Sequence, residues 1–129
     1  MPVSKARAAV VKALKSRGAK SRRGRLRWAV GDLFWYADVL ADAPGPDAQF
    51  RLQVGCWLPA LPPEPDGGAV DCPLLVEFPL GAEPVAEAER VLGLLGAIGD
   101  LATLGDRLAE LPGALVDPPL RALLRPRSE

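Results

Sequence analysis

The chain has 129 residues, 49% of them hydrophobic and 25% charged, with 16 basic and 16 acidic side chains; this is the make-up of a soluble globular chain. It fits one domain over residues 1–129 that needs no disulfide or metal to complete its core. There is no His and no Asn, Thr103 is the only Thr, and Ser4, Ser16, Ser21 and Ser128 are the only serines, which excludes a Ser–His or Cys–His nucleophile pair and any histidine metal ligand.

Along the chain, Ser4 is placed to cap a first helix over Lys5–Arg17, with Ala6, Val10, Ala13 and Leu14 on one face and Gly18 as its left-handed stop. Lys20–Gly24 reads as a loop. Leu26, Trp28 and Val30 then alternate with other residues, Gly31-Asp32 follows, and Leu33, Trp35, Ala37 and Val39 alternate again. Gly-Asp between two alternating runs predicts a two-residue hairpin that sets Trp28 against Trp35 and Val30 against Leu33 on the core face. Arg27 opposite Tyr36 and Ala29 opposite Phe34 then fall on the other face.

After the turn cluster Asp42–Asp47, a third strand carries Phe50, Leu52, Val54, Cys56 and Leu58 inward and Arg51, Gln53, Gly55 and Trp57 outward. Pro59–Gly68 is a Pro/Gly-rich loop. Val70–Leu80 reads as a fourth strand, confined to an edge by Pro73 and Pro79. From Pro84 the period becomes helical, with Ala88, Val91, Leu92, Leu95 and Ile98 on the buried stripe. Asp100 caps a second helix with Leu101, Leu104, Leu108 and Leu111 inward, and Asp117-Pro118 starts a last short turn. Grouped strands followed by helices predict an α+β fold: an N-terminal helix, a four-stranded antiparallel meander, and C-terminal helices on one sheet face.

Charge is segregated under the zero net value. Residues 1–31 hold ten basic and no acidic side chains, and residues 32–129 hold six basic and sixteen acidic ones, so the two parts are +10 and −10. Such asymmetry points to an anionic partner or to folding of the basic segment onto the acidic body. A transit peptide fits less well, because the basic run continues into the strand at Arg25–Val30. Gly93, Gly96 and Gly99 lack the dinucleotide-binding spacing and are expected to let a helix pack closely on the sheet. Cys56 and Cys72 belong to no CxxC pair and are expected to be buried, inert thiols. No stretch suits a secretory signal or a membrane span, so a cytoplasmic location is the expectation. High Arg, Ala, Gly and Pro content suggests a bacterial source.

The basic helix, then Gly18-Ala19-Lys20, RRGRLRW at Arg22–Trp28, GDLFWYADV at Gly31–Val39 and FRLQVGCWLP at Phe50–Pro59 together resemble a bacterial family, domain of unknown function 4304. The resemblance covers about residues 6–61. It implies a helix, an antiparallel sheet and C-terminal helices, with no established activity and thus no functional residue to transfer.

The functional expectation is a small non-catalytic binding protein that engages a protein partner, with an immunity- or antitoxin-like role as one form. Phe34, Tyr36, Trp57, Arg27 and Arg51 make a mixed aromatic–basic face. Arg22, Arg23 and Arg25 add charge beside it. A nucleic-acid-binding module built on residues 5–27 is the alternative, and a carboxylate- and metal-dependent enzyme the third reading. No cofactor, metal or membrane partner is expected.

Overall fold

A computed structural model describes residues 3–22, 25–41 and 49–124. Helix α1 (Val3–Ser16) is followed by strands β1 (Lys20–Arg22), β2 (Arg25–Val30), β3 (Leu33–Ala41) and β4 (Phe50–Trp57). A 3₁₀ turn at Ala69–Asp71 precedes β5 (Leu74–Pro79). Then come α2 (Pro84–Gly96), α3 (Leu101–Arg107), a second 3₁₀ turn, β6 (Leu115–Val116) and α4 (Pro118–Leu124). The strands form one antiparallel sheet in the order β1-β2-β3-β4-β5-β6. The fold is α+β, with six strands where the sequence predicts four. The expected loop at its start is β1, and β6 joins the far edge.

The Gly31-Asp32 hairpin has the predicted register, with Trp28 opposite Trp35, Val30 opposite Leu33, Arg27 opposite Tyr36 and Ala29 opposite Phe34. Gly31 is in the left-handed region (φ 57°), and a side chain there would run into the Gly99 carbonyl. That carbonyl accepts a 2.7 Å hydrogen bond from the Asp32 amide. The hairpin tip is thereby tied to the segment after α2. Gly99 lies beyond the end of α2, while Gly93 and Gly96 face open space. These two therefore do not serve close packing on the sheet; the single close approach is Gly99 against Val30.

Leu26, Trp28, Trp35, Leu52, Val54, Leu74 and Val76 form one sheet face, covered by Val10 and Leu14 of α1, Val91 and Leu95 of α2, Leu104 of α3 and Leu120 of α4. Trp35 is fully buried, and its indole N–H donates to the Ile98 carbonyl at 3.3 Å. Truncating a side chain so placed costs about 3–5 kcal/mol in comparable cores. Helix α1 begins at Val3, so Ser4 lies within its first turn instead of capping it. It ends as expected, with Gly18 at φ 104° and the Ala19 amide on the Leu14 carbonyl. Asp100 caps α3 through the Thr103 amide at 2.8 Å.

The Val70–Leu80 expectation is corrected in two ways. Residues 69–71 coil into a 3₁₀ turn, and the strand begins only after Pro73. The strand is also not an edge along its whole length, since β6 pairs with Leu74 and Leu75 and the Asp117 amide takes the Pro73 carbonyl at 2.8 Å.

Candidate functional site

The second sheet face carries most of the side chains singled out above. Alternation places Arg27 of β2, Phe34 and Tyr36 of β3 and Trp57 of β4 on it, and the register sets Phe34 beside Trp57 and Arg27 beside Tyr36. It is no open platform. Residues 58–73 fold back across it, and Tyr36, Trp57, Ala69 and Cys72 form a second small core with Phe34 and Leu75 at its margin. Only 2% of Tyr36 and 7% of Trp57 remain exposed.

Three contacts hold the segment down. The Trp57 indole N–H donates to the Leu61 carbonyl at 2.7 Å, which fixes the first turn of the loop. Glu64 then reaches back over the face, where its carboxylate accepts from Arg27 Nε at 2.6 Å and Nη2 at 3.3 Å. The same carboxylate accepts from the Tyr36 hydroxyl. At the end of the loop, the 3₁₀ turn lies directly on Gly55 of β4, where a Cβ would sit 2.6 Å from both the Ala69 carbonyl oxygen and Cys72 Sγ. Any larger residue at 55 would lift the turn from the sheet.

These contacts set the electrostatics. Burial raises the Tyr36 phenol above its ordinary value, and the Glu64 carboxylate raises it further. Burial pulls Arg27 down, but its hydrogen bonds to Glu64 and Tyr36 outweigh that and leave it raised. The Arg27 guanidinium also lies 4.2 Å over the Phe34 ring, whose centroid is 5.5 Å from that of Trp57. Its planar charge thus satisfies a carboxylate at its edge and an aromatic ring at its face. Cys72 is free and buried, and burial with the neighbouring Asp71 charge pushes its thiol up to about 12. Cys56, on the opposite face, is free and its thiol is raised by burial.

The remaining expected residues separate. Arg25 pairs with Asp38 at 3.4 Å and Arg51 with Glu77 at 3.4 Å. Arg22 is the last residue of β1, and Arg23 lies outside the described residues, as do Asp42 and Asp47. Asp38 is thus not open to bulk solvent, its side chain being 13% exposed and ion-paired.

Beside the folded-back loop lies a groove of about 450 Å³. Trp57, Leu61, Pro62, Pro63, Pro65 and Pro73 give it stiff apolar walls, and Glu64, Asp66, Asp71 and Asp117 line it with carboxylates, with no lysine or arginine among the described lining residues. Sequence reasoning missed this feature, because Asp117 joins it from the far side of α2 and α3. Among the described residues no group of three or more Cys, Asp or Glu is placed to hold a metal ion, and no described helix is long and apolar enough to cross a membrane.

No protein-family model matches the chain, and neither does any curated protein or solved structure. The resemblance over residues 6–61 stands on its motifs alone.

Proposed function

We propose that the protein is a non-catalytic binding protein that engages a basic protein partner through the proline-walled acidic groove beside Trp57. The observation that supports this reading is the groove's lining: the carboxylates of Asp66, Asp71 and Asp117 beside the ion-paired Glu64, no lysine or arginine among the described lining residues, and walls stiffened by proline. A preformed surface loses little conformational entropy on binding, and a cleft of one charge sign attracts a partner of the opposite sign. Surfaces that hold nucleic acid are basic, so an acidic groove suits a protein that occludes such a surface. An immunity- or antitoxin-like role is the concrete form this takes.

Asp71 and Asp117 test it, being exposed groove residues outside both cores. The double variant Asp71→Lys/Asp117→Lys is expected to fold like the wild type. In affinity capture from host lysate, a basic protein retained by the wild type is expected to be lost from the variant. Equal recovery on both baits would remove the groove from the interface.

A further inference from the structure

We infer that the exposed face of α1 is a docking surface for the phosphate backbone of duplex nucleic acid, bound without sequence preference. This surface is separate from the acidic groove and does not depend on it.

All four lysines of the chain, Lys5, Lys12, Lys15 and Lys20, fall within residues 5–20, and all four are exposed. On a helix of 100° per residue, Lys5, Lys12 and Lys15 project from one side. Ala8 and Ser16 are exposed between them, so only small side chains stand between the ammonium groups. At 1.5 Å rise per residue the row runs about 15 Å from Lys5 to Lys15, and Lys20 follows on β1.

These charges are not consumed inside the fold. Arg17 pairs with Glu89, Arg25 with Asp38 and Arg27 with Glu64, and the Arg7 Nε donates to the Val39 carbonyl. The arginines thus fasten the basic segment to the acidic body. Among the described residues the four lysines form no ion pair. Helix α2 packs against α1, yet its two carboxylates, Glu87 and Glu89, are engaged by Arg90 and Arg17, and Glu83 stands just before its first residue.

The chemistry narrows the partner. Lysine binds phosphate as a point charge and lacks the fork that reads base edges, so affinity without sequence preference follows. Single strands require stacking platforms, and here Tyr36 and Trp57 are buried while the Phe34 ring is covered by Arg27. A membrane surface requires an apolar face to insert, whereas Val10 and Leu14 of α1 are fully buried in the core. A stiff row of phosphates remains.

The test is fluorescence anisotropy of the full chain with a labelled duplex, a single strand of the same length, and vesicles of mixed anionic and neutral lipid. Three to four phosphates neutralised gives a log–log salt slope of about −2.7 to −3.6, so affinity for the duplex should fall by roughly 40- to 150-fold between about 50 and 200 mM salt. The Lys5→Gln/Lys12→Gln/Lys15→Gln variant should bind the duplex at least about tenfold more weakly, with a slope near −1. The Asp71→Lys/Asp117→Lys variant should not bind the duplex more weakly than the wild type, which separates this inference from the groove. Absence of duplex binding at low salt, equal binding by the lysine variant, preference for the single strand, or binding to vesicles alone would each overturn it.

Discussion

Tyr36 shows how one side chain reports on the whole second face. It is the only tyrosine of the chain, so phenolate absorbance reads it without interference. Burial and the facing Glu64 carboxylate favour its protonated form in the folded state, against a smaller opposing effect of Arg27. A folded pKa raised above the unfolded value means that the stabilisation is fully present below about pH 10 and is lost as pH rises through the folded value. Spectroscopic titration is expected to show a midpoint above that of free tyrosine, with the phenolate becoming solvent-exposed as Glu64 is repelled. Tyr36→Phe should flatten the alkaline limb of the stability profile. A midpoint at the ordinary value, with an unchanged limb in Tyr36→Phe, would mean that Glu64 does not bear on the phenol. Alternation alone places position 36 on the second face, but its burial is not legible in the sequence. Its partner Glu64 lies 28 residues away in a loop with no periodicity.

At the scale of elements, legibility follows length and period. The hairpin, β4, α2 and α3 carry several turns or alternations each, and all appear close to where the pattern puts them. Strand β1 is three polar residues and β6 is two, too short for any period to show; both exist because a neighbouring strand offers an unpaired edge. The segment 58–73 was readable as a loop, whereas its docking over the sheet was not, because that depends on Gly55 leaving room and on Glu64 finding Arg27. The segment is fastened by few contacts compared with the main core, so it should open sub-globally before the molecule unfolds. Cys72 and Cys56 make this measurable, one in each core. In mild denaturant a thiol reagent is expected to modify Cys72 well before Cys56. Glu64→Gln weakens charge-assisted bonds of about 1.5–3 kcal/mol each, and should speed Cys72 labelling without changing Cys56. Simultaneous labelling of both thiols would show that the two cores open as one unit.

For the whole molecule, the zero net charge conceals a dipolar arrangement. Among the described residues three arginine–carboxylate pairs join the basic segment to the body, of which the exposed Arg17–Glu89 pair contributes only about 0–1 kcal/mol. Their main consequence is the division of labour they leave behind, with lysines outward on α1 and carboxylates around the groove. Two copies can therefore attract one another, basic helix against acidic groove, while no net charge keeps them apart. The contact is head-to-tail and does not close on itself, so association should grow with concentration and not stop at a dimer. At neutral pH and low ionic strength, light scattering is expected to show association that reverses on adding salt, as the screening length falls to about 8 Å near 0.15 M. The triple lysine-to-glutamine variant removes one pole and acquires a net charge near −3 from the starting value of zero, so it should remain monodisperse at the same low salt. The Asp71→Lys/Asp117→Lys variant removes the other pole and should do likewise. If either variant associates as strongly as the wild type, the poles are not what brings the copies together, and the acidic groove and the lysine face must then be judged separately, each by its own partner.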